Sequence, residues 1–404
     1  MIKTTPESPP KRSRALRDKA LRFVKILPGI SAQAMLVSIF AADLPNISAH
    51  FGGGAQGDFI ASVATTSVVL GLLLGGWFGG WLLERMGFRA FFALALIAVG
   101  VFGSSAALIS DAPLLIGSRI LAGVAASFLT TACFALIPLL YEEKDRAGVI
   151  GFQTAFGGAV AALCYLAAGF LIDVAGWRAP LFLYLPASLL ALVLVPFMPK
   201  QSGVARDVPA TESKSEWSAV LSHWRFFLLA AALPILVFIG SVQLPLLLSR
   251  LTAMTSILPS VLQSLCALFL TVGAYLYGPL CKHLGAVRLL YTALIVVALA
   301  LSVLSASNGF VIAALGAALL GFGLGPIVPY LNDAAIQRSE NDGALVIGVY
   351  VTVASLGAFV NPLIFTLLIE AVGIRGALLI VAAGLACTVV YSFFTAGARK
   401  AQPA

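Results

Sequence analysis

The chain has 404 residues, of which 60% are hydrophobic and 10% charged, against about 25% charged in an ordinary soluble domain. So little polar surface excludes a globular fold in water. The formal net charge of +8 does not point to nucleic acid, because all but four of the Lys and Arg fall in segments that alternate with apolar runs on one side. The four others are Arg119, Arg178, Arg250 and Arg375.

Apolar stretches long enough to cross a hydrocarbon core of about 30 Å as helices recur along the whole length. They predict an all-α membrane protein with twelve transmembrane helices, near 26–49, 59–83, 88–109, 113–139, 147–173, 179–198, 226–249, 256–281, 287–306, 309–335, 344–370 and 376–396. The basic asymmetry sets both termini in the cytoplasm. Residues 1–25 form a basic N-terminal arm, read either as a disordered arm or, from Leu16, Ala20, Phe23 and Leu27 at helical spacing, as a short helix on the inner leaflet. A six-helix bundle over 26–198 follows, then a polar linker over 199–225 with a short interfacial helix near Trp217 and Leu221. A second bundle over 226–396 and a tail over 397–404 complete the chain.

Cys133, Cys164, Cys266, Cys281 and Cys387 sit in or at the ends of spans without C-x-x-C spacing, which makes them packing residues. His50, His223 and His283 all fall at span ends or loops. Neither a metal cluster nor a His-based catalytic triad can be assembled from these residues, so an enzyme, a metal and a cofactor are not expected.

Within the second span Gly71, Gly75 and Gly79, beside Gly76 and Gly80, make a smooth face for close helix approach, for packing or for sliding during transport. Asp43 is the one carboxylate well inside the first span. Pro45 follows it and frees a backbone carbonyl that Asn46 or a neighbouring helix must satisfy. Arg119 lies inside the fourth span, where an unpartnered charge costs about 2.5–3.5 kcal/mol. Both residues are about six residues below one membrane surface, roughly 9 Å at 1.5 Å per residue. They are therefore expected to meet, and a movement that parts them would load a proton on Asp43 and free Arg119 for substrate. Asp333 is the alternative proton site. Gln33, Ser38, Gln153, Tyr165, Gln243, Gln263, Tyr275, Asn332, Tyr350 and Asn361 supply neutral polarity for a cavity suited to an apolar or neutral molecule, or to an anion held by Arg119.

The chain also repeats itself. At an offset of 198, Gly75, Gly80, Gly87 and Gly123 fall on Gly273, Gly278, Gly285 and Gly321. At 197, Leu171–Leu183 aligns with Leu368–Ile380, including Gly176 with Gly373, Arg178 with Arg375 and Asp173 with Glu370.

Gly80-Trp-Leu-Leu-Glu-Arg-Met-Gly-Phe-Arg89 resembles the loop between spans 2 and 3 of the major facilitator superfamily, with Glu84 where that family usually has Asp. Arg119-Ile-Leu-Ala-Gly123 resembles its span-4 element. The resemblance implies two parallel six-helix repeats with the substrate at the midplane. It also implies a cytoplasmic gate of Gly80, Glu84, Arg85, Gly87 and Arg89, in which Glu84 faces the N-terminus of span 11. Arg85 and Arg89 are within reach of Glu142, Glu143 or Asp145. The family's antiporters carry a Gly-Pro pair in span 5, whereas this span has Gly148, Gly151, Gly157, Gly158 and Gly169 and no proline.

The function expected is proton-coupled export of a small, mainly apolar or amphipathic organic molecule across a bacterial inner membrane. Proton symport of a small organic acid or nutrient is the alternative, and a transport-inactive sensor or scaffold is the rival from another class. The expected partners are the small-molecule substrate, protons and membrane lipid, with no nucleic acid and a monomeric state.

Overall fold

A computed structural model describes residues 11–199, 221–251, 257–342 and 345–400, and every described element is helical. In chain order the helices are α1 (Lys11–Ala42), α2 (Leu44–His50), α3 (Gly54–Met86), α4 (Phe88–Ser105), α5 (Ala112–Leu140), α6 (Glu143–Ala175) and α7 (Tyr184–Leu192). From residue 221 onward come α8 (Trp224–Val237), α9 (Leu244–Leu251), α10 (Ile257–Leu284), α11 (Ala286–Ser305), α12 (Phe310–Leu324), α13 (Ile327–Asp342) and α14 (Leu345–Lys400). The interfacial helix expected near Trp217 lies outside the described residues. α1 begins directly after Pro10 and runs without a break into the first span, so from Lys11 onward the basic arm continues that span's helix.

Among the described residues, ten segments are long and apolar enough to cross a membrane. The longest, Val349–Val389, belongs to α14, which is broken at Gly373 by a φ of 71° and ψ of 167°. Spans 11 and 12 meet at that residue. The sixth span is the other departure, because its helical stretch Ala179–Leu189 is short. A 3-10 turn at Ala179–Leu183, α7, and a second 3-10 turn at Val195–Phe197 replace the continuous helix expected there. The cause is Pro180, Pro186 and Pro196, each lacking the N–H that an α-helical bond requires. The twelve-span count thus remains an expectation at these two places.

Four connections share one geometry. Gly87, Gly176, Gly285 and Gly373 have φ of 74°, 85°, 80° and 71° with ψ of 158°, 168°, 149° and 167°, a region that essentially only glycine occupies. These are the positions the internal repeat pairs. The repeat extends to contacts it does not spell out: Arg178 donates to Ser110 Oγ at 3.1 Å, and Arg375 donates to Asn308 Oδ1 at 3.0 Å and to the Ser307 carbonyl at 2.9 Å. In both halves the Arg after the glycine turn clasps the preceding loop.

The glycine row of α3 packs inside its own half. A side chain at Gly71 would meet the backbone of Gly123, one at Gly75 would meet Val124 and Ser127, and one at Gly79 would meet Thr131. The row of Gly71, Gly75 and Gly79 is therefore occupied by α5. Across the halves, α6 packs on α10 and α3 on α14.

Candidate functional site

Between the halves lies a cavity of about 290 Å³. α1 contributes Ile30, Gln33, Ala34, Val37 and Ser38, and α6 contributes Gly157, Gly158, Ala161 and Tyr165. From the second half come Val237, Gly240, Ser241, Gln263, Cys266, Ala267, Leu270 and Leu324. Among the described residues, no Asp, Glu, Lys or Arg lines it. Span 5 comes close to span 8 here because Gly158 leaves room for Thr271 and Gly169 for Ser260.

The polar groups of the cavity are largely held by the protein. Gln33 Nε2 donates to Thr130 Oγ1 at 2.8 Å, Ser38 Oγ to the Ala34 carbonyl at 2.7 Å, and Tyr165 OH to Ser241 Oγ at 3.5 Å. Span 7 opens into a π turn at Ile239–Gln243, a distortion that often marks functional sites. Asn361, from span 11, stabilises the helix before that turn by donating to the Ile235 carbonyl at 2.7 Å, while accepting from Gln243 Nε2 at 3.1 Å.

The carbonyl freed by Pro45 has found its partner. Four residues earlier, Ala41 O accepts from Gln263 Nε2 at 3.3 Å, across the halves. Gln263 Oε1 is buried with no partner. Among the described residues the halves are also joined by Ser264 Oγ donating to the Ala162 carbonyl at 2.9 Å, Ile257 N to Asp173 Oδ2 at 3.2 Å, and Tyr165 to Ser241. All four lie at mid-depth or toward the end of the molecule that carries the Asp111 loop, and α2 packs on α9 at that same end.

Asp43 and Arg119 are both fully buried, but the structure does not pair them. Asp43 sits in the break between α1 and α2, accepts from Asn46 Nδ2 at 3.0 Å, and leaves its Oδ2 unpartnered. Arg119 Nη2 donates to the Leu36 carbonyl, and its Cζ lies 4.3 Å from the Phe40 ring and 5.9 Å from the Tyr184 ring. Its Nε and Nη1 are unpartnered. The equal-depth expectation is thus corrected. Leu36 is seven residues before Asp43, about 10 Å along the helix, so Arg119 binds one to two turns deeper. Pro45 ends α1 just before Asp43, and Asn46 captures the carboxylate locally.

The remaining expected site residues are spread more widely. Gln153 is buried in the first half, donating to the Ile26 carbonyl at 2.6 Å. Gln243 and Asn361 bond each other behind the cavity wall. Tyr350 OH donates to Asn332 Oδ1 at 2.7 Å, and Asp333 accepts from Tyr277 at 3.2 Å and Gln337 at 3.1 Å. Tyr275 is a correction, being 76% exposed. On α10 it lies twelve residues from Gln263, about 120° round the helix from the lining face.

At the opposite end, Arg89 Nε and Nη2 donate at 2.8 Å to the carbonyls of Met198 and Pro196. The Arg85 guanidinium lies 4.1 Å from the Trp81 ring. Arg89 thus staples the end of the sixth span, where the broken helix leaves carbonyls without helical donors. Gly80 meets nothing within 4 Å where a side chain would stand. The side chains of Glu143 and Asp145 lie outside the described residues.

The sequence pattern of the Major Facilitator Superfamily matches residues 26–344. The puromycin resistance protein pur8 of Streptomyces alboniger is 30% identical over 190 residues, which is 45% of this chain and 37% of that protein. The methylenomycin A resistance protein of Bacillus subtilis (strain 168) is 27% identical over 116 residues, 28% of this chain and 25% of that protein. The chain therefore spans well under half the length of either relative. In fold it is similar to the nucleoside transporter NupG, with a TM-score of 0.75 at 11% identity, covering 94% of this chain and 99% of that one. It is also similar to the xylose transporter XylE from E. coli in a partially occluded inward open conformation, with a TM-score of 0.68 at 14% identity, covering 96% and 100%.

Proposed function

Because this chain belongs to the major facilitator superfamily, and so is an integral membrane transporter and not an enzyme, we propose that it exports a small, mainly apolar or amphipathic organic molecule from a bacterial cell. Export draws on the proton gradient and proceeds by alternating access. The observation that carries this reading is the uncharged cavity of about 290 Å³ between the halves. Such a site gains from apolar contact and a few neutral hydrogen bonds, and offers no fixed charge to a strongly ionic solute. The resistance proteins it is related to add support for efflux.

In this reading the protein is a monomer of two six-helix bundles, 26–198 and 226–396, in the inner membrane with both termini cytoplasmic. That orientation follows from the side on which basic residues gather. The Asp111 end is then external, and the conformation described is shut there by the four bonds between the halves. Asp43, two residues beyond the Ala41 carbonyl, is positioned to couple a proton to that closure. A proton on it removes a buried charge whose second oxygen has no partner. Opening exchanges that environment for one within reach of Arg119 or of water. Glu84 and its neighbours at the cytoplasmic mouth form the opposing gate, the carboxylate facing the positive end of span 11.

The test is purified protein in liposomes enclosing a pH dye, challenged with a panel that starts from puromycin and spans apolar, neutral and acidic compounds. Export predicts proton counterflow with an apolar or amphipathic compound under an imposed pH gradient. Cotransport of substrate and proton in the same direction would overturn it in favour of import, and silence of the apolar and amphipathic compounds beside a response to the acidic ones would overturn the substrate class.

A further inference from the structure

The cavity between the halves has a polarity of its own, fixed by which atom of each polar side chain the protein has already used. Gln263 donates through Nε2 to the Ala41 carbonyl. A carbonyl only accepts, so the nitrogen stands at that end and the amide oxygen is the atom left over. Gln33 is oriented by the same logic. Its partner Thr130 Oγ1 gives its own proton to the Ala126 carbonyl at 2.8 Å, so toward Gln33 it accepts, and the Gln33 nitrogen is spent as well. Ser38 commits its proton to the Ala34 carbonyl, and Tyr165 turns its own toward Ser241. These four lining side chains have turned protons into the protein, and what they keep for an occupant is lone pairs. Against them, among the described residues of the lining, stand the Ser241 hydroxyl and the Cys266 thiol, the second only a weak donor.

That polarity is sharpest at Gln263. The residue is 1% exposed, and its Oε1 is buried with no partner, so the oxygen has lost water and gained nothing in return. Gln263 is also the lining residue of α10 nearest the Asp111 end, ahead of Cys266, Ala267 and Leu270. On the facing helix, Ala41 lies one turn beyond Val37 and Ser38, the last α1 residues on the wall. The carboxamide therefore roofs the cavity, its nitrogen engaged by α1 and its oxygen a polar atom that nothing answers.

We propose, on the reading of this cavity as the substrate site, that it selects an apolar molecule carrying an N–H or O–H group, whose proton is received by Gln263 Oε1. A donor-free molecule of the same shape leaves that oxygen unpaired. An ionised carboxylate offers only lone pairs and meets an amide oxygen where it needs a donor, so it is selected against. Because the same carboxamide holds the Ala41 carbonyl, the donor is read at the point where the Asp111 end is closed.

The test is equilibrium dialysis of naphthylethanol, its methyl ether and naphthylacetic acid against the protein in nanodiscs at neutral pH, with empty nanodiscs subtracted. The three probes share one ring system and differ at the polar end. The alcohol should bind about tenfold more tightly than the ether, as expected for one hydrogen bond to a buried acceptor, and the acid more weakly than the alcohol. Gln263→Met keeps the length of the side chain and removes the amide, and the alcohol-to-ether ratio should then fall to about twofold or less. A ratio is the right readout, because any loosening of the Asp111 end acts on both probes alike. Ala161→Phe and Val37→Trp, which fill the cavity, should each weaken binding of the alcohol. Equal binding of alcohol and ether by the unaltered protein, a preference that persists in Gln263→Met, or an acid that binds as tightly as the alcohol would overturn the proposal. Alcohol binding untouched in both filled variants would overturn the reading of this cavity as the substrate site, on which the proposal stands.

Discussion

Replacing Gln263 by Leu removes the donor that serves the Ala41 carbonyl across the halves. In the conformation described, Pro45 has no N–H to take over, so the carbonyl is left buried and unmatched. That costs about 1–3 kcal/mol, and a 3.3 Å separation, long for an N–H···O bond, argues for about 1 kcal/mol. The open conformation parts the halves at this point and does not bear the cost, so the open-to-closed ratio at the Asp111 end should rise about fivefold. Spin labels at Asp111→Cys and Asn308→Cys, in a background with the five native cysteines replaced, report that opening as a longer pulsed-EPR distance in bilayers. The decisive comparison is Pro45→Ala, which restores a helical N–H for Ala41. In that background Gln263→Leu should shift the distribution little, giving a coupling of about 1 kcal/mol in the double-mutant cycle. An equal shift in both backgrounds, or none in either, would refute the reasoning.

Asp43→Asn should abolish pH-driven accumulation in liposomes while retaining substrate exchange, and Arg119→Ala should lose both; normal accumulation by Asp43→Asn would move the proton site to Asp333. Glu84→Gln should lower the transport rate while equilibrium binding stays within a few-fold, and an unchanged rate would remove Glu84 from the gate. Arg89→Ala gives up two charge-assisted bonds at 2.8 Å to the Met198 and Pro196 carbonyls, worth about 1–3 kcal/mol each to the end of the sixth span, seen as a lower thermal unfolding temperature in lipid. Gly373→Ala should cost about 1–3 kcal/mol in the same measurement, because its φ of 71° and ψ of 167° are closed to a side chain.

What could be read from the sequence was what depends on local order along the chain. Span positions follow from runs of apolar residues, and the turns at Gly87 and Gly285 from a glycine closing a charged end. Pro45 announced a carbonyl in need, since proline's missing N–H is a property of one residue. That Gln263 would answer it was not readable, because the donor lies 222 residues away and any of several amides could have served. Asp43 and Arg119 were brought together on depth alone. Depth does not say which way a side chain reaches or that Asn46, three residues on, intercepts the carboxylate. The π turn at Ile239–Gln243 and the broken sixth span had partial signals in Pro234 and Pro245, and in Pro180, Pro186 and Pro196. Each signal fixes where a helix is weak, while the shape of the resulting space depends on its neighbours.

The four glycine turns carry a further consequence. Gly87 and Gly285 each join two helices alone, Gly373 breaks one helix, and only Gly176, Trp177 and Arg178 separate α6 from the turn at Ala179, so none of these connections has much slack. Each pair is a hairpin in which the backbone of one glycine sets the angle between the two arms. Gly87 and Gly285, like Gly176 and Gly373, hold nearly the same dihedrals although the side chains around them have diverged. The internal repeat is thus kept in the backbone at the places where only one kind of residue fits.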